Sequence, residues 1–288
     1  MLEYQEILYS TSDGVATIII NRPDTLNALT SLTQAEIRHA LHSSDITKEV
    51  VGTVITGAGR GFCSGVDMKS LGKMSDDGGR TQEIYEHLKV SFDNENKNFV
   101  GSPAYFLALK KPLIAAINGA CAGLGFSYAT FCDMRFMDPK AKLVTSFSPR
   151  GLIAEHGTSW MLPRIVGPSH ALDLMWTSRR VDAEEAYRIG YANRLSENGE
   201  VLKEAQDFIL NLAKTAAPYS LMMMKKQIYQ HLNQDLGPSN TESTTWMDES
   251  LKRNDFKEGI KSFLEKRSPK FEKKQTRKKF LLSGNIDL

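Results

Sequence analysis

The sequence predicts an α/β domain in which strands and helices alternate, followed by a mainly helical C-terminal part. Three short runs rich in Val and Ile carry the first half of that prediction: GVATIIINRP (14–23), VVGTVITGAG (50–59) and PLIAAINGA (112–120). Each stops at glycine or proline, the residues that punctuate strands. Helical or short extended stretches separate them, the order that builds packed α and β layers. Past residue 155 apolar positions recur at helical spacing.

The elements follow in order. Pro23 stops the first strand. SLTQAEIRHALHSS (31–44) reads as a helix, with Ser31 and Gln34 at capping-box spacing. Residues 70–100 are more polar; Asp76 to Gly79 read as a turn before an amphipathic helix, either a lid over a site or a surface insertion. Pro168 sits at a favourable first helical position of PSHALDLMWTS. DAEEAYRIG pairs Asp182 with Glu185 as a capping box and ends at Gly190. A helix starts at Pro218 in PYSLMMMKKQIYQHL, whose methionines suit an adaptable packing surface, in a subunit interface or within the core. DFKEGIKSFLEK is a last amphipathic helix. The expected division is a core over 1–200 and a helical region with a basic tail over 201–288.

Composition narrows the function. The 288 residues carry a net charge of +2, too little to argue for nucleic acid. No apolar run approaches the roughly 20 residues of a membrane span, and the N-terminus lacks a signal pattern. A soluble, cytoplasmic protein with no membrane or nucleic-acid partner is expected. The stretch EKRSPKFEKKQTRKK is strongly basic, as a solvated tail or an anion-binding arm. Cys63, Cys121 and Cys132 form no C-x-x-C pair, so buried packers are expected rather than a disulfide framework or zinc site. The six histidines form no metal pattern; His39 and His42 lie three apart on the predicted helix.

The glycine-rich turns hold the candidate chemistry. GLGFSY and GAGRGF both lack the third glycine of a dinucleotide fingerprint, and no P-loop pattern exists. GFSYA resembles a nucleophile elbow with alanine in its last place, which would make Ser127 a nucleophile with His156, His170 or His231 as base. A third reading uses two turns together. GFCSGVDM (61–68) follows the strand GTVIT, and NGACAGLGFS (118–127) follows PLIAAI. Each places small residues where a strand gives way to a helix and backbone N–H groups are unclaimed. Two such amides converging on one point hold a carbonyl oxygen as it becomes negative.

Four ordered stretches, NRPDTLNAL, ITGAGRGFCSGVDM, INGACAGLGFSYATFCDMRF and GLIAEHGTSWMLPRIVG, together resemble the crotonase superfamily of enoyl-CoA hydratases and isomerases, from about Tyr4 to Arg267. The resemblance implies ββα units coiled into a spiral, with C-terminal helices that build trimers or hexamers of two trimers. It implies stabilisation of an acyl-CoA thioester enolate, with coenzyme A as part of the substrate and no separate cofactor. Carried over by position, the oxyanion amides are those of Val66 and Leu124. Asp24, Thr25 and Leu26, with the loop that contains Arg60, Cys63, Ser64 and Asp67, correspond to the coenzyme A channel. Gly123 lets the thioester approach the backbone, and Lys266 and Lys270 correspond to tail positions that reach ligand phosphates.

The sequence departs from a hydratase at two places. Such enzymes use two glutamates to position and deprotonate water; by position these are Ser127 and Phe147 here, neither a carboxylate. Glu155, in IAEHGTSW, aligns with the site where several family isomerases hold their catalytic acid. A double-bond shift needs one base, which removes a proton beside one carbon and returns it to another. Δ3-Δ2 enoyl-CoA isomerisation is therefore the leading reading, with hydration next, then a serine hydrolase or a non-catalytic acyl-CoA-binding protein.

Overall fold

The computed structural model describes residues 3–77, 83–92, 99, 101–197 and 199–271. Its core repeats one unit three times. β3 (Gly52–Gly57) joins a large sheet, β4 (Gly61–Cys63) joins a small one, and α2 (Met68–Asp76) follows. β5 (Leu113–Ile117), β6 (Ala120–Ala122) and α3 (Leu124–Phe131) repeat the pattern. So do β7 (Met134–Met137), β8 (Lys142–Val144) and α4 (Thr158–Thr177). The large sheet runs β1-β2-β3-β5-β7-β10 and the small one β4-β6-β8-β9, with β1 Ile7–Ser12, β2 Val15–Ile20, β9 Val181–Asp182 and β10 Arg194–Leu195. All pairings are parallel except β1 with β2 and β8 with β9. This is the ββα spiral that the crotonase resemblance implies.

The Val- and Ile-rich runs are strands because parallel interior strands are covered on both faces and so read as continuous apolar stretches. Alternation along them selects the layer. Ile18, Ile55, Ala115 and Met137 face the main core with Phe62 and Leu124. Val15, Val54, Ile114 and Phe136 face the other way, onto Val201, Ala205 and Ile209 of α6 (Val201–Thr215). α6 thus covers the outer face of the large sheet, although it lies past the expected boundary at residue 200.

Helix ends agree with the sequence in three places and differ in one. α5 (Ala183–Arg188) begins at Asp182, whose carboxylate accepts from the Glu185 N–H at 2.8 Å. Pro168 opens the second half of α4 after a break at Gly167. α7 (Pro218–His231) starts at its proline. α1 (Ser31–Ile46), however, is capped by Thr30, not Ser31. Thr30 and Thr33 exchange both capping bonds, and each hydroxyl also donates to Glu6, so a tertiary contact decides the cap. The amphipathic helix expected after residue 79 falls partly outside the described residues; within them lies only a short 3-10 turn, Glu86–Leu88.

All three cysteines are free and buried, and burial pushes the Cys63 thiol up to about 12. Among the described residues no helix is long and apolar enough to cross a membrane, and no group of acids, histidines or cysteines could hold a metal. α8 (Leu236–Leu251) and α9 (Asn254–Leu264) are the last two helices among the described residues.

One buried ionic contact fastens α7 to the core. Asp133 accepts from the Lys225 ammonium at 2.7 Å, the Tyr229 hydroxyl at 2.9 Å and the Leu113 N–H at 2.7 Å. Lys225 is almost fully buried. Asp133→Ala leaves that ammonium without its counter-charge, so unfolding free energy should fall by about 3–5 kcal/mol in chemical denaturation. A loss below about 1 kcal/mol would show that the pair does not fasten the helix.

Candidate active site

The first turn is built by the chain around Val66. The Leu29 N–H donates to the Gly65 carbonyl at 2.7 Å, and the Asp67 N–H donates to the Leu29 carbonyl at 3.0 Å. Successive N–H groups of extended backbone point to opposite sides. The Val66 amide therefore points away from Leu29. Leu124, at the first position of α3, carries one of the N–H groups that a helix start leaves unclaimed. Among the described residues neither amide has a hydrogen-bond partner.

The two turns touch. Gly65 has φ +109° and Gly123 φ +51°, both in the region that favours glycine. A Cβ added at Gly65 would lie 3.2 Å from the Ala122 carbonyl oxygen and 3.5 Å from the Leu124 nitrogen. One added at Gly123 would lie 3.7 Å from the Gly65 Cα. Glycine at both places lets the backbones meet, while the Val66 and Leu124 side chains pack into the core. The result is a pair of neighbouring donors beside the positive end of a helix, suited to an oxygen that gains charge.

The RPDTL stretch docks on this first turn. The Ser64 N–H donates to the Leu26 carbonyl at 2.9 Å, and the Ser64 hydroxyl donates to the Thr25 carbonyl at 3.0 Å. Buried Asn27 donates to the carbonyls of Ala58 and Gly61 and accepts from the Arg22 N–H. Asp24, Thr25 and Arg60 are exposed on the joined loops. The two stretches expected to form one channel are thus held together.

Two expected channel residues, Asp67 and Cys63, and the pocket candidate Ser127 act differently. Asp67 is buried, accepts from the Lys69 N–H to cap α2, and meets the Arg22 guanidinium at 3.1 and 3.2 Å; Arg22 also pairs with Glu6 at 3.1 Å. Its side chain locks the turn instead of facing a ligand. Cys63 is buried against Gly125, where a Cβ would come within 2.7 Å of the sulfur, so its side chain packs. Ser127 is 0% exposed. Its Oγ lies 2.9 Å from Thr158 Oγ1 and donates to the Gly123 carbonyl at 3.4 Å. With a threonine where a nucleophile elbow needs an imidazole, the serine hydrolase reading fails.

That hydroxyl pair has a structural consequence. It ties α3, which carries the second turn, to the start of α4. The Thr158 N–H in turn donates to the Glu155 carbonyl at 3.0 Å. Glu155 is thereby coupled to the helix whose first amide is Leu124. Its side chain is 27% exposed, and Oε1 lies 3.1 Å from His156 Nε2. Phe147, the other position of a hydratase glutamate, is buried at 4% exposure and starts a 3-10 turn. Lys266 and Lys270 lie past α9, exposed. The Lys270 N–H donates to Glu258 at 2.6 Å, and the neighbouring Arg267 pairs with the same carboxylate. The rest of the basic tail, from residue 272, lies outside the described residues.

Residues 10–274 match the sequence model of the enoyl-CoA hydratase/isomerase family. The chain belongs to that family. A 1,2-epoxyphenylacetyl-CoA isomerase from Escherichia coli (strain K12) is 29% identical over 276 residues, 94% of this chain and 99% of its own. A short-chain-enoyl-CoA hydratase from Clostridium acetobutylicum is 28% identical over 272 residues, 92% and 97% of the two chains. Among solved structures, an enoyl-CoA hydratase/isomerase from Mycobacterium paratuberculosis superposes with a TM-score of 0.81 at 29% identity, covering 94% of this chain and all of the other. Relatives in this enoyl-CoA hydratase/isomerase family carry both names, so membership fixes the acyl-CoA class and the crotonase fold and leaves the reaction to the site.

The sequence reading passes over Arg22, Thr158 and Ser102, which hold Asp67, Ser127 and His156. Arg22 lies inside NRPDTLNAL, but only its contact with Asp67 shows what it does.

Proposed function

We propose that this protein isomerises 3-enoyl-CoA thioesters to 2-enoyl-CoA thioesters, with Glu155 as the base and the Val66 and Leu124 amides as the oxyanion hole. One observation carries the reading. Both positions where a hydratase holds its water-activating glutamates lack a carboxylate and are closed by packing, Ser127 on Thr158 and Phe147 in the core. Glu155 is the acid coupled to the helix of the second turn. It takes a proton from C2, the electron pair spreads to the thioester oxygen, and the two N–H groups stabilise that dienolate. Glu155 then returns the proton to C4. No cofactor is needed beyond the coenzyme A of the substrate. Exposed Arg60, with Asp24, Thr25 and Leu26, would border the coenzyme A, and Lys266 and Lys270 would reach its phosphates. Turnover of acyl chains, fatty acids among them, is the corresponding metabolism, in the cytoplasm.

Assembly into trimers or a dimer of trimers is part of this reading. Ile228, Leu236, Met247, Ile260, Phe263 and Leu264 are exposed on α7, α8 and α9, apolar side chains that a subunit interface would cover. Sedimentation at the mass of a single chain would remove it.

The function is tested by incubating the protein with paired 3-enoyl-CoA and 2-enoyl-CoA substrates in H₂¹⁸O and resolving the products by mass. The expected product is the 2-enoyl isomer without added oxygen. Rapid formation of ¹⁸O-labelled 3-hydroxyacyl-CoA would establish hydration instead.

A further inference from the structure

His156 follows the proposed base directly, in a backbone conformation uncommon for a residue other than glycine. Its φ is 58°, and Gly157 continues at 74°. Left-handed backbone at a side-chain-bearing residue persists only where the surroundings enforce it, and it concentrates at functional sites. Here the turn brings two adjacent side chains together, Glu155 Oε1 and His156 Nε2 at 3.1 Å. The other ring nitrogen, Nδ1, lies 3.1 Å from the Ser102 carbonyl oxygen. Ser102 is held in turn, its Oγ 2.9 Å from the buried Tyr128 hydroxyl.

These contacts fix the protons. A carbonyl oxygen only accepts, so Nδ1 carries a hydrogen. Nε2 then faces a carboxyl oxygen, and that contact is attractive only with one proton between them. The pair is either imidazolium with carboxylate or imidazole with carboxylic acid, and only the first leaves the carboxylate to act as the base.

We propose that His156 is a positioning residue for Glu155: held by the Ser102 carbonyl, its Nε2–H donates to Oε1 and keeps the carboxylate oriented for proton abstraction. The proposal rests on Glu155 being the base. The C2–H bond breaks and its proton passes to Glu155. The Glu155 O–H bond then breaks as the C4–H bond forms, and the imidazolium proton stays on Nε2 throughout. Tyr128 stands one hydrogen bond beyond, and burial pushes its phenol well up, so it stays neutral.

The test has two arms. In the first, the histidine ring N–H signals of the full-length protein are compared by NMR in wild type and Glu155→Gln at one pH. The His156 Nε2 proton should lie far downfield in wild type, as in a charge-assisted bond to Oε1, and should move upfield or vanish in Glu155→Gln. A His156 ring spectrum that the substitution leaves unchanged overturns the pairing whatever the reaction is. In the second, His156→Ala should lower kcat by about 10- to 100-fold with little change in KM, as for a displaced catalytic group. His156→Gln keeps a donor and should recover part of that kcat. Equal loss in both variants, or a loss carried by KM, overturns the role. Wild-type protein without 3-enoyl-CoA isomerase activity would instead sink the functional reading, and the NMR comparison would still decide the pair.

Discussion

Glu155→Gln is expected to lower kcat for 3-enoyl-CoA by about 100- to 10,000-fold, the scale on which loss of a general base is felt. Glutamine keeps the shape and cannot accept the proton. Binding energy comes from the coenzyme A portion and from the backbone amides, which the substitution leaves in place, so KM should change little. A single carboxyl that both removes and returns the proton predicts a second result. In deuterated water some product should retain the substrate's own hydrogen, because a partly buried acid returns it before exchange with solvent. Glu155 is 27% exposed, so retention should be partial. A Glu155→Gln variant with near wild-type isomerisation would assign the proton transfer elsewhere. Full solvent incorporation with a large fall in kcat would keep the base and reject the shielded return.

The sequence shows the strands because their environment repeats along the chain. β3 is buried at every residue and reads as one apolar run. α3 is expected only from the turn before it, because its own residues carry no period. All eight of its residues, LGFSYATF, are buried, so no polar face marks the helical period. α8 begins LGPSN, with glycine and proline in its first turn and mixed polarity beyond, so it has no apolar stripe to announce it. The site divides similarly. Its two turns are legible because small residues follow strands, and backbone approach demands them. The work of Asp67 and Ser127 is not, because their partners Arg22 and Thr158 lie 45 and 31 residues away. Polar residues near a glycine-rich turn read as ligand contacts until the fold shows another chain segment using them.

The oxyanion hole gives the sharpest separation between backbone and side chain. Val66→Pro should lower kcat by about 100- to 1000-fold, the effect of removing one oxyanion donor, whereas Val66→Ala should be mild. The difference follows from how the turn is held. Its bridge to Leu29 uses the Gly65 carbonyl and the Asp67 N–H, not the Val66 amide. The Arg22 clamp on Asp67 and the Asp67 cap on α2 also leave that amide alone. Proline removes one donor while every recorded hydrogen bond of the turn survives, so the variant should fold, as circular dichroism and oligomeric mass can establish. The Leu124 amide would remain, and residual turnover should reflect that second donor. Alanine keeps the N–H and loses only a small apolar contact with the core, so its cost should appear in stability more than in kcat. If the folded proline variant turns over like wild type, the charge that develops on the thioester oxygen is held by groups other than Val66, and the convergence of Gly65 on Gly123 serves packing alone.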